Sequence, residues 1–321
     1  MDWSSSLLVL GGTTASGKSA LAIDLVGHLR MRGVIAEIVN ADSVQLYRHI
    51  PILTARPDAA EEARAVHHLY GVLEPDEPID AMRWLELAAP VIAGIQARGA
   101  LPILVGGTGL YMHALLHGMS RMPEIAGEVR SAVRAIPPAE LHAVLAAEDP
   151  VMARRLHAGD PQRLMRALEV IRQSGRSLAA WQRQAPVRII ATDPVNIAGI
   201  ALLPPRDVLH RLIERRMRNM IAGGAVEEAR ALFEAYPDAL DLPIGKAHGL
   251  PEIAAFVGGR MDLEAVIGRT SIRVRQYAKR QSTWFRRQMP EFVVMEVFGG
   301  TPGLVDKVLM RLDKTGNGGV A

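Results

Sequence analysis

The chain has 321 residues, of which 49% are apolar, and a formal net charge of +3. This length suits one large domain or two ordinary ones with a sizeable core. There is no cysteine, which excludes disulfides, thiolate metal sites and a cysteine nucleophile, and no apolar stretch is long enough to cross a bilayer.

The N-terminal residues, Met1 to Ser6, lack the basic start and the long apolar run of a signal peptide. We therefore expect a cytoplasmic protein that does not associate with a membrane.

The first third of the chain alternates between strand and helix patterns. Apolar runs predict strands at Leu7–Leu10, Val34–Val39 and Leu101–Val105, and helical spacing follows at Ala20–Leu29 and Leu110–Leu116. Strands that alternate with helices indicate a parallel sheet covered on both faces.

A glycine-rich loop joins the first strand to the first helix, and its sequence GTTASGKS fits the phosphate-loop pattern G-x-x-x-x-G-K-[ST]. Its backbone N–H groups can converge on a phosphate, and the helix N-terminus adds positive potential. Lys18 would reach the terminal phosphate, and the Ser19 hydroxyl would hold Mg²⁺. The pattern predicts a polyphosphate ligand, without specifying a nucleotide, bound by Gly12, Thr13, Thr14, Ala15, Ser16, Gly17, Lys18 and Ser19.

Two further loops follow predicted strands, and ligands bind beyond the carboxyl ends of strands in open parallel sheets. Asp42 is placed to accept a proton or a hydrogen bond there, although it could instead cap a short helix at Ser43–Tyr47. Thr108, flanked by glycines, can bring a hydroxyl donor to a ligand, or can belong to a tight turn that only ends the strand.

The middle of the chain has no strand pattern from 119 to 185, where Pro137-Pro138, Asp149-Pro150 and Asp160-Pro161 separate helical segments. Val195–Leu203 then predicts one more strand, and the remainder has helical patterns. We predict an α/β fold, a P-loop NTPase-like parallel sheet flanked by helices, with an all-helical insertion domain. The core would comprise 1–118 and 186–314, the insertion 119–185, and a disordered tail 315–321.

Basic residues recur in the C-terminal helices. In the predicted helix Asp207–Ile221, Arg216 falls within the apolar stripe, so it needs an anionic partner, either a structural salt bridge or a ligand diphosphate. Further on, a basic stripe is interleaved with aromatic residues, which suits an RNA backbone and stacked bases. Its predicted RNA contacts are Arg273, Lys279 and Arg280.

Two neighbouring histidines, His67-His68, lack a ligand cluster. Their side chains would point in different directions on a helix, and we interpret them as non-catalytic.

Several segments, spread in order along the chain, resemble the tRNA dimethylallyltransferase family. They are Gly12 to Ser19, Asp42 to Tyr47 (DSVQLY), Leu101 to Tyr111 (LPILVGGTGLY), Asp160 to Val170 (DPQRLMRALEV) and Arg275 to Phe285 (RQYAKRQSTWF). Val274, Arg56 and the turn Lys246 to Gly249 depart from the family pattern, whereas the phosphate loop, Asp42 and Thr108 match it.

The resemblance implies a Mg²⁺-dependent transfer of a dimethylallyl group from dimethylallyl diphosphate to the adenosine immediately 3′ of the anticodon, in tRNAs that read codons beginning with uridine. By the same resemblance, Asp42 is the general base, and Thr108, Arg216 and Lys18 bind the diphosphate. The partner is the anticodon stem-loop of tRNA, and a monomer is expected. The implied tRNA contacts are Asp42, Ser43, Val44, Gln45, Thr108, Arg130, Gln162, Arg163, Leu164, Met165 and Arg166.

Two other functions use the same loop. A P-loop small-molecule kinase would bind ATP and use Asp42 to activate a hydroxyl, but it leaves the basic, aromatic C-terminal helix unexplained. An RNA-binding NTPase switch would instead show nucleotide-dependent affinity for RNA.

Overall fold

The computed structural model of the chain describes residues 6–187 and 196–316. Within these ranges one sheet contains six strands: β1 (Ser6–Gly12), β2 (Ala36–Asn40), β3 (His67–His68), β4 (Leu101–Val105), β5 (Asn196–Leu202) and β6 (Val293–Met295). The order is β3-β2-β4-β1-β5-β6, and every neighbouring pair is parallel. The predicted parallel α/β sheet is confirmed.

The helices before the insertion are α1 (Lys18–Met31), α2 (Pro51–Thr54), α3 (Ala59–Glu62), α4 (Ala81–Ala97) and α5 (Gly109–His117), with a 3₁₀ turn at Val44–Leu46. Strands β1, β2 and β4 are buried along their whole length, because helices cover the sheet. Leu8 and Leu10 of β1 and Leu21 and Leu25 of α1 belong to one buried core.

Residues 117–187 form a compact unit of their own. Its helices are α6 (Gly127–Arg134), α7 (Leu141–Glu148), α8 (Pro150–Arg155), α9 (Pro161–Ser174) and α10 (Leu178–Gln182). Asp149 and Asp160 accept bonds from backbone N–H groups at the starts of α8 and α9, and each precedes a proline at the first helical position. Backbone bonds between Met119 and Val187 join the two ends of the unit.

The other compact unit contains the sheet and, among described residues, spans 6–116 and 196–316. Its C-terminal helices are α11 (Arg206–Ala222), α12 (Ala225–Ala235), α13 (Leu250–Val257), α14 (Leu263–Gln288) and α15 (Leu304–Gly316), with a 3₁₀ turn at Pro243–Lys246. No helix of the described ranges combines the length and the apolar character needed to cross a membrane.

Two local predictions were wrong. His67-His68 form the edge strand β3 rather than part of a helix, and β6 interrupts the region predicted as helical only. Both strands are half-buried and very short. β3 has no apolar residue, whereas β6 lies in the short apolar run 292–295, which was overlooked. The predicted start of β5 at Val195 lies outside the described residues, as do residues 317–321 of the predicted tail, whereas α15 extends to Gly316.

Candidate active site

The phosphate loop follows β1 and leads directly into α1. Ala15 and Gly17 have left-handed backbones, with φ of 58° and 83°. A Cβ atom at Gly17 would lie 2.8 Å from the Phe298 ring, so the close approach also requires glycine. The Lys18 ammonium donates to the Thr13 carbonyl oxygen at 2.6 Å, and the Ser16 hydroxyl is fully buried without a partner among the described residues. A phosphate would satisfy these polar groups.

Buried positive charge dominates the electrostatics of the loop. Burial lowers the pKa of Lys18 to about 8; the charge of Asp42 acts to raise it, and that of Arg216 to lower it further. Burial also lowers the pKa of Arg216, against the opposing charges of Asp42 and Glu61. The three predicted residues therefore act on one another, although they come from separate segments.

Arg216 lines a cavity of about 400 Å³ beside the loop residues Ala15 and Gly17. Among residues 6–187 and 196–316, no residue forms an ion pair or a hydrogen bond with the Arg216 side chain. Of the two partners considered for this arginine, the structural salt bridge is not observed, and the ligand diphosphate stays open.

The Asp42 loop is fixed by Asn40, a buried residue at the end of β2. The Asn40 side chain accepts a bond from the Asp42 N–H at 2.8 Å and donates to the Asp42 carbonyl oxygen at 3.0 Å. One carboxylate oxygen of Asp42 accepts from the Val44 N–H at 3.3 Å, which starts a single 3₁₀ turn. The N-cap of this turn is Ser43, so the alternative role of Asp42 as a helix cap is not observed. The half-buried Asp42 keeps its other oxygen, Oδ2, close to Gly107.

The Thr108 turn meets the Asp42 loop through its backbone and side chain. The Thr108 N–H donates to the Ala41 carbonyl oxygen, and the Thr108 hydroxyl accepts from the Ser43 N–H, each at 3.1 Å. A Cβ atom at Gly107 would lie 3.4 Å from an Asp42 carboxylate oxygen. The turn therefore ends β4 and also stands beside the carboxylate.

Helix α14 supplies two residues of the site that the motifs did not predict. The buried Gln281 side chain accepts from the Thr14 N–H and donates to the Gly107 carbonyl oxygen, both at 2.8 Å. Burial and the charge of Asp42 raise the pKa of Tyr277, while hydrogen bonds with Thr108 and Gln281 oppose this shift. The His248 ring lies 4.9 Å from the Tyr277 ring, between centroids. The only sequence signal was the presence of both α14 residues in the segment RQYAKRQ.

Comparison with known proteins identifies the family. The family model described as IPP transferase matches residues 45–288. The chain belongs to the IPP transferase family. It is 42% identical to a tRNA dimethylallyltransferase of Sphingopyxis alaskensis, over 96% of this chain and 99% of that protein, and 45% identical to one of Rhodospirillum centenum, over 88% and 89%.

Solved IPP transferase structures have the same fold. The tRNA isopentenylpyrophosphate transferase of Bacillus halodurans is 29% identical and superposes with a TM-score of 0.67, over 98% of both chains. A eukaryotic dimethylallyltransferase acting on tRNA is 25% identical, with a TM-score of 0.73 over 90% of this chain and 73% of that one.

The residues predicted to bind tRNA fall in both units. In the insertion, Gln162, Arg163 and Arg130 are exposed and Met165 and Arg166 are half-buried, but Leu164 is fully buried in that unit's core. In the sheet unit, the Gln45 side chain is also buried, because it donates to the Thr54 and Ala55 carbonyl oxygens. A tRNA contact at Leu164 or Gln45 would therefore use the backbone.

The predicted RNA contacts of α14 have different surroundings. Arg273 pairs with the buried Glu252 at 2.9 Å and remains more than half exposed, and Arg280 lies over the Tyr277 ring. Lys279 is exposed and lines a second cavity, of about 710 Å³, that also reaches Thr13.

The residues present fit the predicted Mg²⁺. Ser19 is the second residue of α1, and its side chain is exposed next in sequence to the buried Lys18. Across the described ranges, no group of three or more histidine or acidic residues could hold a metal ion. A hard cation that keeps several waters and binds through one protein hydroxyl and the phosphate oxygens suits such a donor set.

Proposed function

We propose that this chain transfers a dimethylallyl group from dimethylallyl diphosphate to the N6 amine of the adenosine immediately 3′ of the anticodon, in tRNAs that read codons beginning with uridine. The products are N6-(dimethylallyl)adenosine and diphosphate. The observation that carries the proposal is a phosphate loop tied to the turn beside Asp42, in a chain 42% identical over 96% of its length to a tRNA dimethylallyltransferase.

Catalysis has to assist both reactants, because the adenine amine is a weak nucleophile. As the bond between N6 and the allylic carbon forms, Asp42 accepts the N6 proton. The bond between that carbon and the diphosphate oxygen breaks, and the electron pair leaves with the diphosphate.

The amides of Thr13, Thr14 and Ser16 already donate to protein acceptors. The other loop amides, with Lys18, Thr108 and Arg216, stabilise the charge that accumulates on the departing diphosphate. Each such donor contributes on the order of 3 kcal/mol to transition-state stabilisation. The Ser19 hydroxyl would hold Mg²⁺, which would supply further positive charge next to the diphosphate.

The acceptor base has to leave its stack to reach Asp42, which favours a nucleotide of a loop over a paired one. The basic residues of α14 and of the insertion would hold the anticodon stem-loop. A cytoplasmic location and a monomeric state remain predictions, to be tested by cell fractionation and by light scattering.

The decisive experiment incubates the purified protein with tRNA, Mg²⁺ and dimethylallyl diphosphate and analyses the digested nucleosides by mass spectrometry. We expect one adenosine that carries a dimethylallyl group. Asp42→Asn keeps the acceptor for the Val44 N–H but loses the base, so turnover should fall by about 100- to 10,000-fold while tRNA affinity is retained.

Two results would favour the alternatives. Transfer of labelled phosphate from ATP to a metabolite, without prenylation of tRNA, would identify a kinase. RNA affinity that changes with bound nucleotide, again without prenylation, would identify an NTPase switch.

A further inference from the structure

Gln281 connects two loops that have different tasks in the proposed reaction. Its carboxamide oxygen accepts from Thr14, in the phosphate loop, and its carboxamide nitrogen donates to Gly107, in the turn that contains Thr108 and adjoins Asp42. The side chain reaches Gly107 across 174 positions of sequence, and it is only 4% exposed.

The fit around Gln281 is specific for an amide. A Cβ atom at Gly107 would lie 2.2 Å from the Gln281 nitrogen, so only glycine admits the side chain at this distance. One end of the group must accept and the other must donate, because Thr14 offers an N–H and Gly107 offers a carbonyl oxygen. A buried amide with both ends satisfied fixes the two loops relative to each other, whereas an apolar side chain would leave both partners unpaired.

Tyr277 extends the same connection. It lies one helical turn before Gln281, and its hydrogen bonds reach both Gln281 and Thr108. The rigid helix α14 thus holds the phosphate loop on one side and the Thr108 turn on the other.

We propose that Gln281 is a positioning residue that sets the spacing between the phosphate loop and the turn beside Asp42, and so aligns the prenyl donor with the acceptor amine. This inference rests on the proposed function. Gln281 acts through Thr14 and Gly107, so its loss should misalign bound substrates rather than prevent their binding. A displacement of about 1 Å can reduce turnover by about 100-fold.

Two variants separate alignment from binding. Gln281→Leu removes both hydrogen bonds at similar volume, and we expect kcat to fall by about 100-fold with KM values for donor and tRNA close to those of the parent. Gln281→Glu keeps the bond from Thr14 but, when ionised, cannot donate to Gly107. A protonated carboxyl group can donate, so its kcat relative to the parent should recover as the pH is lowered.

Gln96→Leu is the matched control. Gln96 is also a buried glutamine that donates to a backbone carbonyl oxygen, that of Ser6 at 3.2 Å, but it lies at the amino-terminal end of β1, away from the phosphate loop that follows this strand. This variant should lose thermal stability and keep its kcat, measured below its melting temperature.

The outcomes separate the two proposals. If the parent protein does not prenylate tRNA, the proposed function and this inference both fail. If the parent is active and Gln281→Leu has the kcat of the parent, the inference about Gln281 fails and the proposed function stands. The inference also fails if Gln281→Leu changes only the KM for the donor, or if Gln96→Leu loses as much kcat as Gln281→Leu.

Discussion

Two buried cations, Lys18 and Arg216, share the site with the carboxylate of Asp42. Burial lowers the pKa of both, and the charge of Asp42 acts on both. A charge removed from water needs a partner, and among the described residues neither cation forms a direct ion pair with Asp42 or Glu61. Their positive charge is therefore not fully compensated. The same charges that oppose folding favour binding of a diphosphate.

The lowered pKa of Lys18 predicts that diphosphate binding takes up a proton at alkaline pH. With a pKa of about 8, much of Lys18 is neutral at higher pH in the empty protein, and a bound anion favours the ammonium form. Diphosphate affinity should therefore fall by up to about tenfold per pH unit above the pKa of Lys18. Titration calorimetry with diphosphate and Mg²⁺, in buffers of different ionisation enthalpy, measures the uptake.

The comparison with Lys18→Met assigns that proton, because protons that diphosphate itself gains or loses appear in both proteins. Lys307→Met replaces an exposed lysine of α15 and should leave the uptake unchanged. If Lys18→Met and the parent take up the same number of protons, Lys18 is not the titrating group.

Single residues were predictable where a local pattern places them at the end of a strand. Asp42 and Thr108 follow β2 and β4, so the sequence could bring them near the phosphate loop. Gln281 could not be found in this way, since its partner Gly107 is 174 residues distant and an isolated glutamine has no characteristic spacing. Arg216 was placed by helical periodicity, which identifies the buried side of a helix but not the partner.

At the scale of elements, α14 is held against the sheet by aromatic side chains that meet glycines. Phe285, which is fully buried, lies over Gly11 of β1, and Trp284 lies over Gly109 at the start of α5. A Cβ atom at either glycine would lie within 2.4 Å of the ring it faces. This packing holds Gln281 and Tyr277 at the carboxyl ends of the strands.

Gly106 has a comparable role between the Asp42 and Thr108 loops, since a Cβ atom there would lie 2.1 Å from the Ala41 carbonyl oxygen. Backbone must move to admit it, so Gly106→Ala should reduce the free energy of unfolding by about 1–3 kcal/mol and also lower kcat. Gly27→Ala, at an open helical position of α1, should instead stabilise the protein by about 0.5–1 kcal/mol. Urea denaturation measures the free energy of unfolding of both variants, and steady-state kinetics measure their kcat. A Gly106→Ala variant with unchanged stability would contradict the close contact.

Elements were predictable in proportion to their length and burial. The apolar runs of β1 and β4 are buried throughout and were found at nearly their observed positions. Strands β3 and β6 have two and three half-buried residues. The two histidines of β3 become a strand by pairing with β2, which local sequence does not encode. The apolar, β-branched residues of β6 do favour a strand, but the run is too short to stand out among helical patterns. The helix considered at Ser43–Tyr47 is only a 3₁₀ turn.

At the scale of the molecule, the insertion has a core of its own, built from residues such as Val133, Leu141 and Leu168. Its proposed tRNA contacts, Arg163 and Arg166, form ion pairs with Asp160 and Glu169 of the same short segment. The exposed Arg163–Asp160 pair contributes about 0–1 kcal/mol to stability. The Glu169 side chain is only 12% exposed, so removal of Arg166 costs more, and a thermal melt has to show that the double variant is folded.

We predict that Arg163→Ala with Arg166→Ala raises the KM for tRNA and leaves the donor KM and the kcat at saturating tRNA unchanged. Each phosphate contact to a single strand contributes about 0.7 to the slope of log affinity against log salt concentration. Loss of two contacts should therefore reduce that slope by about 1.4. Filter binding of tRNA across a salt series measures it.

Arg154→Ala with Arg155→Ala removes the same charge from exposed positions of α8 in the same unit. If the insertion acts only through its net charge, both double variants should reduce the salt slope equally. A specific contact at α9 requires the larger reduction in the Arg163 and Arg166 variant, because only phosphates that are actually neutralised release their counterions. Equal slopes in the two variants would therefore remove the proposed tRNA contact at this helix while leaving the chemistry at Asp42 intact.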